Sequence, residues 1–346
     1  MAHLSAHPDG REVPNEWRLV WDTMSSGRAV LVATHANPDA DAVASVLAVL
    51  LLLEGSERRL VATTGDGRVP RALRFLPAVD RLSTQELSPE ERFDRIILVD
   101  CADPGRLGPL FQACPSWFDG SIPIVNIDHH VTNTRFGAVS LVDPAAAATT
   151  EILTELVVEL DLPFSPALAT CLLTGIYGDT LGLQTSSTRP KTMRLAAHLL
   201  EAGADLPQIV THLFRRKPFS TVRLWGLALG RARFEDAIVW TEITPDMLEE
   251  SGATAAEGEG IVNFLSGTEG AQVAIMFYRQ PDGWRVSLRS SSDAVDVARI
   301  ASQFGGGGHS RAAGCRLPAG EEHRQTFLDT VARFLLDLAL AGDPSQ

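Results

Sequence analysis

The chain alternates short runs of apolar, β-branched residues with longer stretches whose apolar positions recur at helical spacing. Between Ala29 and Cys171, "AVLVATH", "RLVATTG", "DRIILVDCAD" and "IPIVNIDHH" predict strands, and "DAVASVLAVLLLLEG" predicts a helix stopped at Gly55. Continuous apolar strands alternating with helices predict an α/β fold, with a mostly parallel sheet covered by helices on both faces. "ATTEILTELVVEL", "PALATCLLTGIYGDT" and "PKTMRLAAHLLEAG" predict further helices. The basic, proline-containing "LFRRKPFS" marks a connector over residues 213–222, which closes a first domain of residues 1–212. Beyond it, residues 223–346 read as a smaller α+β domain. There "DAIVWTEIT", "GAQVAIMFYRQPDGWRVSLRSS" and "AAGCRLP" predict strands, with "QPDGW" as a hairpin turn. "VDVARIASQF" and "RQTFLDTVARFLLDLAL" predict helices, and the first residues and "AGDPSQ" read as loose ends.

The 346 residues suffice for two domains and a sizeable core. The net charge of −13 argues against binding long duplex nucleic acid, which needs Lys and Arg to neutralise phosphates. A small anion can still bind where metal ions or a few arginines reverse the field. Cys101, Cys114, Cys171 and Cys315 are scattered without a CxxC pair, as expected of reduced thiols. The polar start lacks a hydrophobic signal segment, and the apolar run Ala42–Leu53 is too short for a bilayer. A soluble, cytoplasmic protein is expected.

Candidate chemistry gathers at predicted strand ends, where ligands of parallel sheets bind. In "THANPDADAVAS", His35 ends a strand, and Asp39 and Asp41 occupy the loop before a helix that begins near Asp41 or Ala42. The set suits a divalent metal such as manganese, with magnesium or cobalt as alternatives; the same aspartates also suit a helix cap and a turn. In "ILVDCADPGRLG", Asp100 ends a strand, Cys101 points the other way into the core, and Asp103 suits a turn. Arg106 reads as solvated, within reach of a phosphate. "IVNIDHH" brings Asp128, His129 and His130 to one strand end, and "GIYGDT" supplies Asp179. Two adjacent imidazoles there can divide roles between metal and substrate, with Asp128 orienting a metal-bound ring. Six N and O donors, His35, Asp39, Asp41, Asp100, His129 and Asp179, suit two ions rather than one. Such a pair can clamp a phosphoryl group for in-line displacement. In the second domain, Gly305–Gly308 allow close approach of an anion, His309 follows, and Arg289 lies in a strand as a candidate phosphate clamp.

"HANPDADAVAS", "VDCAD", "IDHH" and "GIYGDT", in this order, resemble the four motifs of the DHH phosphoesterase superfamily. "EGIVNFLSG", "VSLRSS" and "FGGGGHSRAAGC" resemble its associated C-terminal domain, and the likeness covers about residues 29–320, with the nano-RNase/pAp phosphatase subgroup the nearest in pattern. The resemblance implies a dinuclear site, usually manganese, in a cleft between domains. His35, Asp39 and Asp100 would hold one ion; Asp41, Asp100, His129 and Asp179 would hold the other. It implies that His130 meets the scissile phosphate, and that Arg289, Ser290, Gly306, Gly307, Gly308 and His309 hold the nucleotide. The implied substrates are short 5′-phosphorylated oligoribonucleotides, linear dinucleotides such as pApA, and pAp. A homodimer is in keeping with the family. Its cyclic-dinucleotide phosphodiesterases and inorganic pyrophosphatases, and a catalytically silent nucleotide sensor, are the rival readings. Leu181-Gly182-Leu183 departs from relatives that carry an aromatic residue after the glycine, which bears on base stacking.

Overall fold

A computed structural model describes residues 14–55, 58–292 and 294–341. It divides into two compact units between Arg216 and Lys217. The connector is shorter than the sequence pattern predicts: Thr211–Arg215 form a π-helical turn, and Phe219 already opens a helix. Residues 1–13 and 342–346, most of the expected loose ends, lie outside the described residues. Asn15–Ser25, for which the sequence pattern predicts no element, form a helix that buries Val20 and Met24.

In the first unit, strands β1 (Ala29–Thr34), β2 (Arg59–Thr64), β3 (Leu82–Ser83), β4 (Arg95–Val99), β5 (Ile124–Asp128) and β6 (Val139–Val142) form a six-stranded sheet in the order β3-β2-β1-β4-β5-β6. Every pairing in it is parallel. The helices are α1 (Asn15–Ser25), α2 (Ala40–Leu52), α3 (Pro109–Ala113), α4 (Thr149–Glu159), α5 (Pro166–Asp179), α6 (Pro190–Glu201) and α7 (Leu206–Val210). Strand alternation sends Val30, Val32, Ile97 and Val99 to a core shared with α2, α4 and α5. Leu31, Ala33, Ile96 and Leu98 face the opposite core, which Leu107, Leu110 and Trp117 complete from α3 and short 3-10 turns. Each fully enclosed Leu, Ile or Val contributes about 1.5–3 kcal/mol. Helix α2 is buried from Asp41 to Leu50, which explains its apolar run. No helix among the described residues is long and apolar enough to cross a membrane. Successive strands run outward from β1 on one side and from β4 on the other, so the order reverses between them. In such sheets that reversal opens a crevice at the carboxyl ends. His35 and Asp100 follow its two flanking strands.

The second unit contains α8 (Phe219–Leu229), β7 (Arg233–Glu235), β8 (Ile238–Ile243), α9 (Pro245–Ser251), α10 (Ile261–Leu265), β9 (Val273–Gln280), β10 (Gly283–Ser290), α11 (Val297–Ser302), β11 (Gly307–His309), β12 (Ala312–Pro318) and α12 (Glu321–Ala341). Its sheet runs β11-β12-β10-β9-β8-β7, parallel only between β8 and β9. "QPDGW" makes the β9–β10 hairpin, with Gln280 opposite Gly283. One sheet face packs on α11 and α12 through Trp284, Val286, Leu288 and Phe327. The other packs on α8–α10 through Ala274, Met276, Leu224 and Ile261.

Glu257 fastens α8 to the turn Ala255–Gly258. Its carboxylate accepts hydrogen bonds from Ser220 Oγ (2.5 Å), Thr221 Oγ1 (2.8 Å) and the Thr254 amide (2.6 Å). The Ser220, Thr254 and Thr221 bonds pull its pKa down to about 2. A depressed carboxylate stabilises the fold above its unfolded pKa near 4.5 and loses that contribution as pH falls through about 2. Glu257→Gln is expected to cost about 1 kcal/mol at neutral pH, as removal of a capping carboxylate does. In denaturant titrations the gap to the parent protein should close between pH 4.5 and 2; a gap that persists at pH 2 would contradict this account.

Candidate metal centre

Local geometry brings the candidate donors of the first unit to the crevice. His35 follows β1, and Asp100 follows β4 with φ of 54°, a left-handed conformation that turns its carboxylate back over the sheet. Asp39 caps α2, accepting from the Ala42 amide at 3.0 Å, so the cap falls on Asp39, read as a turn residue, and not on Asp41, read as the cap. The helix starts at Ala40, which puts Asp41 in its first turn, fully buried. Asp179 is the last residue of α5. Two glycines of "GIYGD" bring that helix close. A Cβ on Gly175 would collide with Thr150 and the Asp41 carboxylate, and one on Gly178 would meet Ala40 Cβ at 2.5 Å.

These residues form overlapping groups: His35, Asp39 and Asp100; Asp41, His129 and Asp179; and Asp100, His129 and His130. Within each, one ligand atom per residue lies within 4.8 Å of the others. Asp100 belongs to two of the groups, with Oδ2 3.5 Å from His35 Nε2 and Oδ1 3.6 Å from His129 Nε2, and His129 links these to the Asp41 group. His129 Nε2 is 3.3 Å from Asp179. His35 Nδ1 donates to the Ala36 carbonyl at 2.8 Å, which leaves the Nε2 lone pair directed at the cluster. The donor set of imidazole nitrogens and carboxylate oxygens therefore fits two hard to borderline divalent ions.

The carboxylates are held from behind by the N-terminus of α4. The Thr149 and Thr150 amides donate to Asp41 at 2.6 and 3.0 Å, Thr150 Oγ1 donates at 2.6 Å, and Thr149 Oγ1 donates to Asp100 at 2.9 Å. The sequence pattern of "ATTEILTELVVEL" predicts only a helix. Its paired threonines before an apolar run were the available signal.

His130 is arranged differently. Its Nδ1 donates to Asp128 Oδ1 at 2.8 Å, and Asp128 also accepts from the His129 amide (2.9 Å) and Asn133 Nδ2 (2.6 Å). Asp128 therefore orients His130 rather than a ring of the Asp41 group. With Nδ1 donating, Nε2 accepts from Arg106 Nη1 at 3.3 Å. Arg106, expected as a solvated residue, thus stands beside His130. Cys101 is buried on the opposite face, and Asp103 caps a 3-10 turn, both as expected.

The local charges explain why cations suit this place. Burial, reinforced by the Asp179 and Asp100 charges, raises the Asp41 carboxyl well above the usual range. Burial likewise pushes Asp179 up to about 6, against the hydrogen bond from His129. For His129, burial acts to lower the pKa, but the bond to Asp179 and the charges of Asp41 and Asp100 raise it to about 10. Burial alone would raise Asp100; its interactions with His35, His129 and His130 outweigh that and lower it. With Asp41 and Asp179 pushed up and His129 held high, the cluster favours the arrival of positive charge.

The remaining candidates lie in the second unit. Arg289 Nε donates to Asn263 Oδ1 at 2.7 Å and Nη1 to the Leu288 carbonyl at 2.9 Å, which fixes its fork at a cavity also lined by Gly306. The glycine run is structured rather than a hinge: Gly307–His309 pair with β12, and a Cβ on Gly306 would collide with Gly314 and Cys315. Gly308, at φ of 143°, passes equally close to Ala312. His309 is exposed. Ser290 is buried, and its hydroxyl is committed to the turn, donating to the Ser292 carbonyl and accepting from the Ser292 amide. At the departing Leu181-Gly182-Leu183, all three residues adopt positive φ, and the Phe214 ring stands 3.5 Å from where a Gly182 Cβ would lie.

Comparison with known proteins agrees with this layout. The DHH family, N-terminal domain, matches residues 29–176, and the DHHA1 domain matches residues 238–337. The chain is 33% identical over 312 residues to the bifunctional oligoribonuclease and PAP phosphatase NrnA of Thermus thermophilus, covering 88% of this chain and 90% of that protein. It is 25% identical over 313 residues to the NrnA protein of Bacillus subtilis, covering 89% and 95%. An exopolyphosphatase-related protein from Bacteroides fragilis shares the fold, with a TM-score of 0.83 at 20% identity over 94% of this chain and 98% of that one. Two domain matches in this order, with identity along most of both chains, establish that this protein belongs to the DHH family and carries its DHHA1 domain.

Proposed function

We propose that the protein is a manganese-dependent phosphoesterase that hydrolyses short 5′-phosphorylated ribonucleotides, including linear dinucleotides, to mononucleotides, and pAp to AMP and phosphate. The observation that carries this reading is the pair of donor groups joined by Asp100 at the strand-order reversal. Similarity to the NrnA proteins supports the substrate class.

His35, Asp39 and Asp100 would hold one ion, and Asp41, Asp100, His129 and Asp179 the other. Two divalent ions held there would neutralise phosphoryl oxygens and would activate a water for attack. The chain's own residues supply orientation and proton transfer. Thr149 and Thr150 keep Asp100 and Asp41 aimed inward. Asp128 fixes the His130 ring; once Nε2 takes up a proton from solvent in place of the hydrogen bond it accepts from Arg106, it can pass that proton to the departing ribose oxygen as the bond from that oxygen to phosphorus breaks. Arg106, beside that nitrogen, balances charge on the phosphate. In the second unit, Arg289, the Gly306–Gly308 run and His309 would hold the rest of the nucleotide.

The test follows products from pAp, pApA, a 5′-phosphorylated RNA pentamer and pyrophosphate with manganese, magnesium or chelator. Manganese-dependent release of mononucleotides, with pyrophosphate untouched, is expected. Hydrolysis of pyrophosphate alone, or no turnover with any metal, would sink the proposal. Manganese should also raise the thermal midpoint relative to chelator, because ions that bind only the folded chain add about 2.7 kcal/mol at a hundredfold excess over Kd.

A further inference from the structure

The exposed half of the second sheet carries an arrangement that the proposed centre does not use. On β10 and β12, residues 284, 286, 288, 313, 315 and 317 enter the core, so Arg285, Ser287, Arg289, Gly314 and Arg316 share the opposite face. A surface cavity of about 650 Å³ lies there, lined by all five and by Asn263, Phe304 and Gly306. Arg285 and Arg316 are direct cross-strand partners. Two like charges placed opposite each other destabilise a sheet unless an anion lies between them. Their existing interactions are weak. Arg316 lies 3.9 Å from Asp282, with both side chains about three-quarters exposed, and Arg285 rests over the Tyr278 ring at 5.3 Å. Tyr278 continues the same cross-strand row, and its hydroxyl is buried without a hydrogen-bond partner among the described residues.

Arg289 belongs to a separate position. It stands four residues along the strand, ~13 Å away, and its bonds to Asn263 and Leu288 hold it there. Between the two positions, Ser287 and Gly314 make a low floor. Glu259 is the one carboxylate in the lining, against three guanidinium groups.

We propose that Arg285 and Arg316 form a second phosphate subsite, which takes a further phosphodiester of a nucleotide chain beyond the one held at Arg289. This rests on the nucleotide-hydrolase reading, and it specifies that the protein favours ribonucleotides longer than dimers. Two guanidinium forks flanking one phosphate supply charge-assisted, geometrically matched hydrogen bonds.

The test compares the full-length protein with Arg285→Ser/Arg316→Ser and Arg285→Lys/Arg316→Lys. For the serine pair, kcat/KM on a 5′-phosphorylated RNA tetramer should fall about tenfold, while the dimer changes less than about twofold. The lysine pair should retain most of the tetramer preference. Anisotropy of a labelled tetramer in chelator should show weaker binding by the serine pair. The slope of log K against log salt should shrink by about 0.7, because one phosphate is no longer neutralised by the protein. Equal losses on dimer and tetramer, or unchanged tetramer binding, would overturn the subsite. A lowered thermal midpoint in the serine pair would mark the arginines as structural and overturn it too. If the parent protein hydrolyses neither oligomer yet the binding difference appears, the subsite stands and the hydrolase reading falls.

Discussion

Asp100→Asn is expected to lower kcat/KM by on the order of 10³-fold, equivalent to about 4 kcal/mol of transition-state stabilisation, without loss of the fold. Asp100 is the donor through which the groups around His35 and His129 meet, so its removal weakens both proposed ion positions together. Asparagine is the informative replacement. The backbone there has φ of 54°, a region asparagine adopts more readily than alanine. The amide oxygen can still accept from Thr149 Oγ1. The contacts of Asp100 with His35, His129 and His130 favour the charged carboxylate in the fold, so the metal-free variant should melt modestly below the parent midpoint while still unfolding cooperatively. Kinetics with manganese and calorimetry in chelator check both halves. Activity within tenfold of the parent would remove Asp100 from the proposed centre, and a collapsed midpoint would show that its role is structural.

The second large effect is expected at His130. His130→Ala should reduce kcat by about 10²–10³-fold with little change in KM, the range for removal of a positioned proton donor. The fold should persist, because Asp128 keeps its bonds from the His129 amide and Asn133. Asp128→Asn should cost about 10–100-fold, the usual drop when a partner that orients a working imidazole is removed. Since Asp128 is proposed to act through His130, the double variant should be no worse than His130→Ala alone. Fully additive losses would mean that Asp128 works on something other than the His130 ring.

Elements with strong local periodicity were legible from the sequence: β1, β2, β4 and β5, helices α2, α4, α5 and α6, the β9–β10 hairpin, and α11 and α12. Those that buried little or ran short were not. Helix α1, the two-residue β3, β6 and helices α8–α10 carry too few residues, or too mixed a pattern, for a period of 2 or 3.6 to register. The second face of the parallel sheet is covered by the short helix α3 together with 3-10 turns around Leu107 and Trp117, as the expected helices on both faces require.

The donors themselves were visible because they end strands, and strand ends can be found from apolar runs. Readable from the chain alone are these strand-end histidines and aspartates, and the β/α alternation that sends strand ends to one edge. Which donors share a neighbourhood follows from the folded arrangement. Asp41 meets Thr149 and Thr150 across more than a hundred residues of chain. Arg106 reaches His130 from another loop, and Arg285 faces Arg316 across a strand pair. The physical reason is that local periodicity records how a segment buries its own face. Strand order, register and close helix approach at Gly175 and Gly178 determine which distant segments meet.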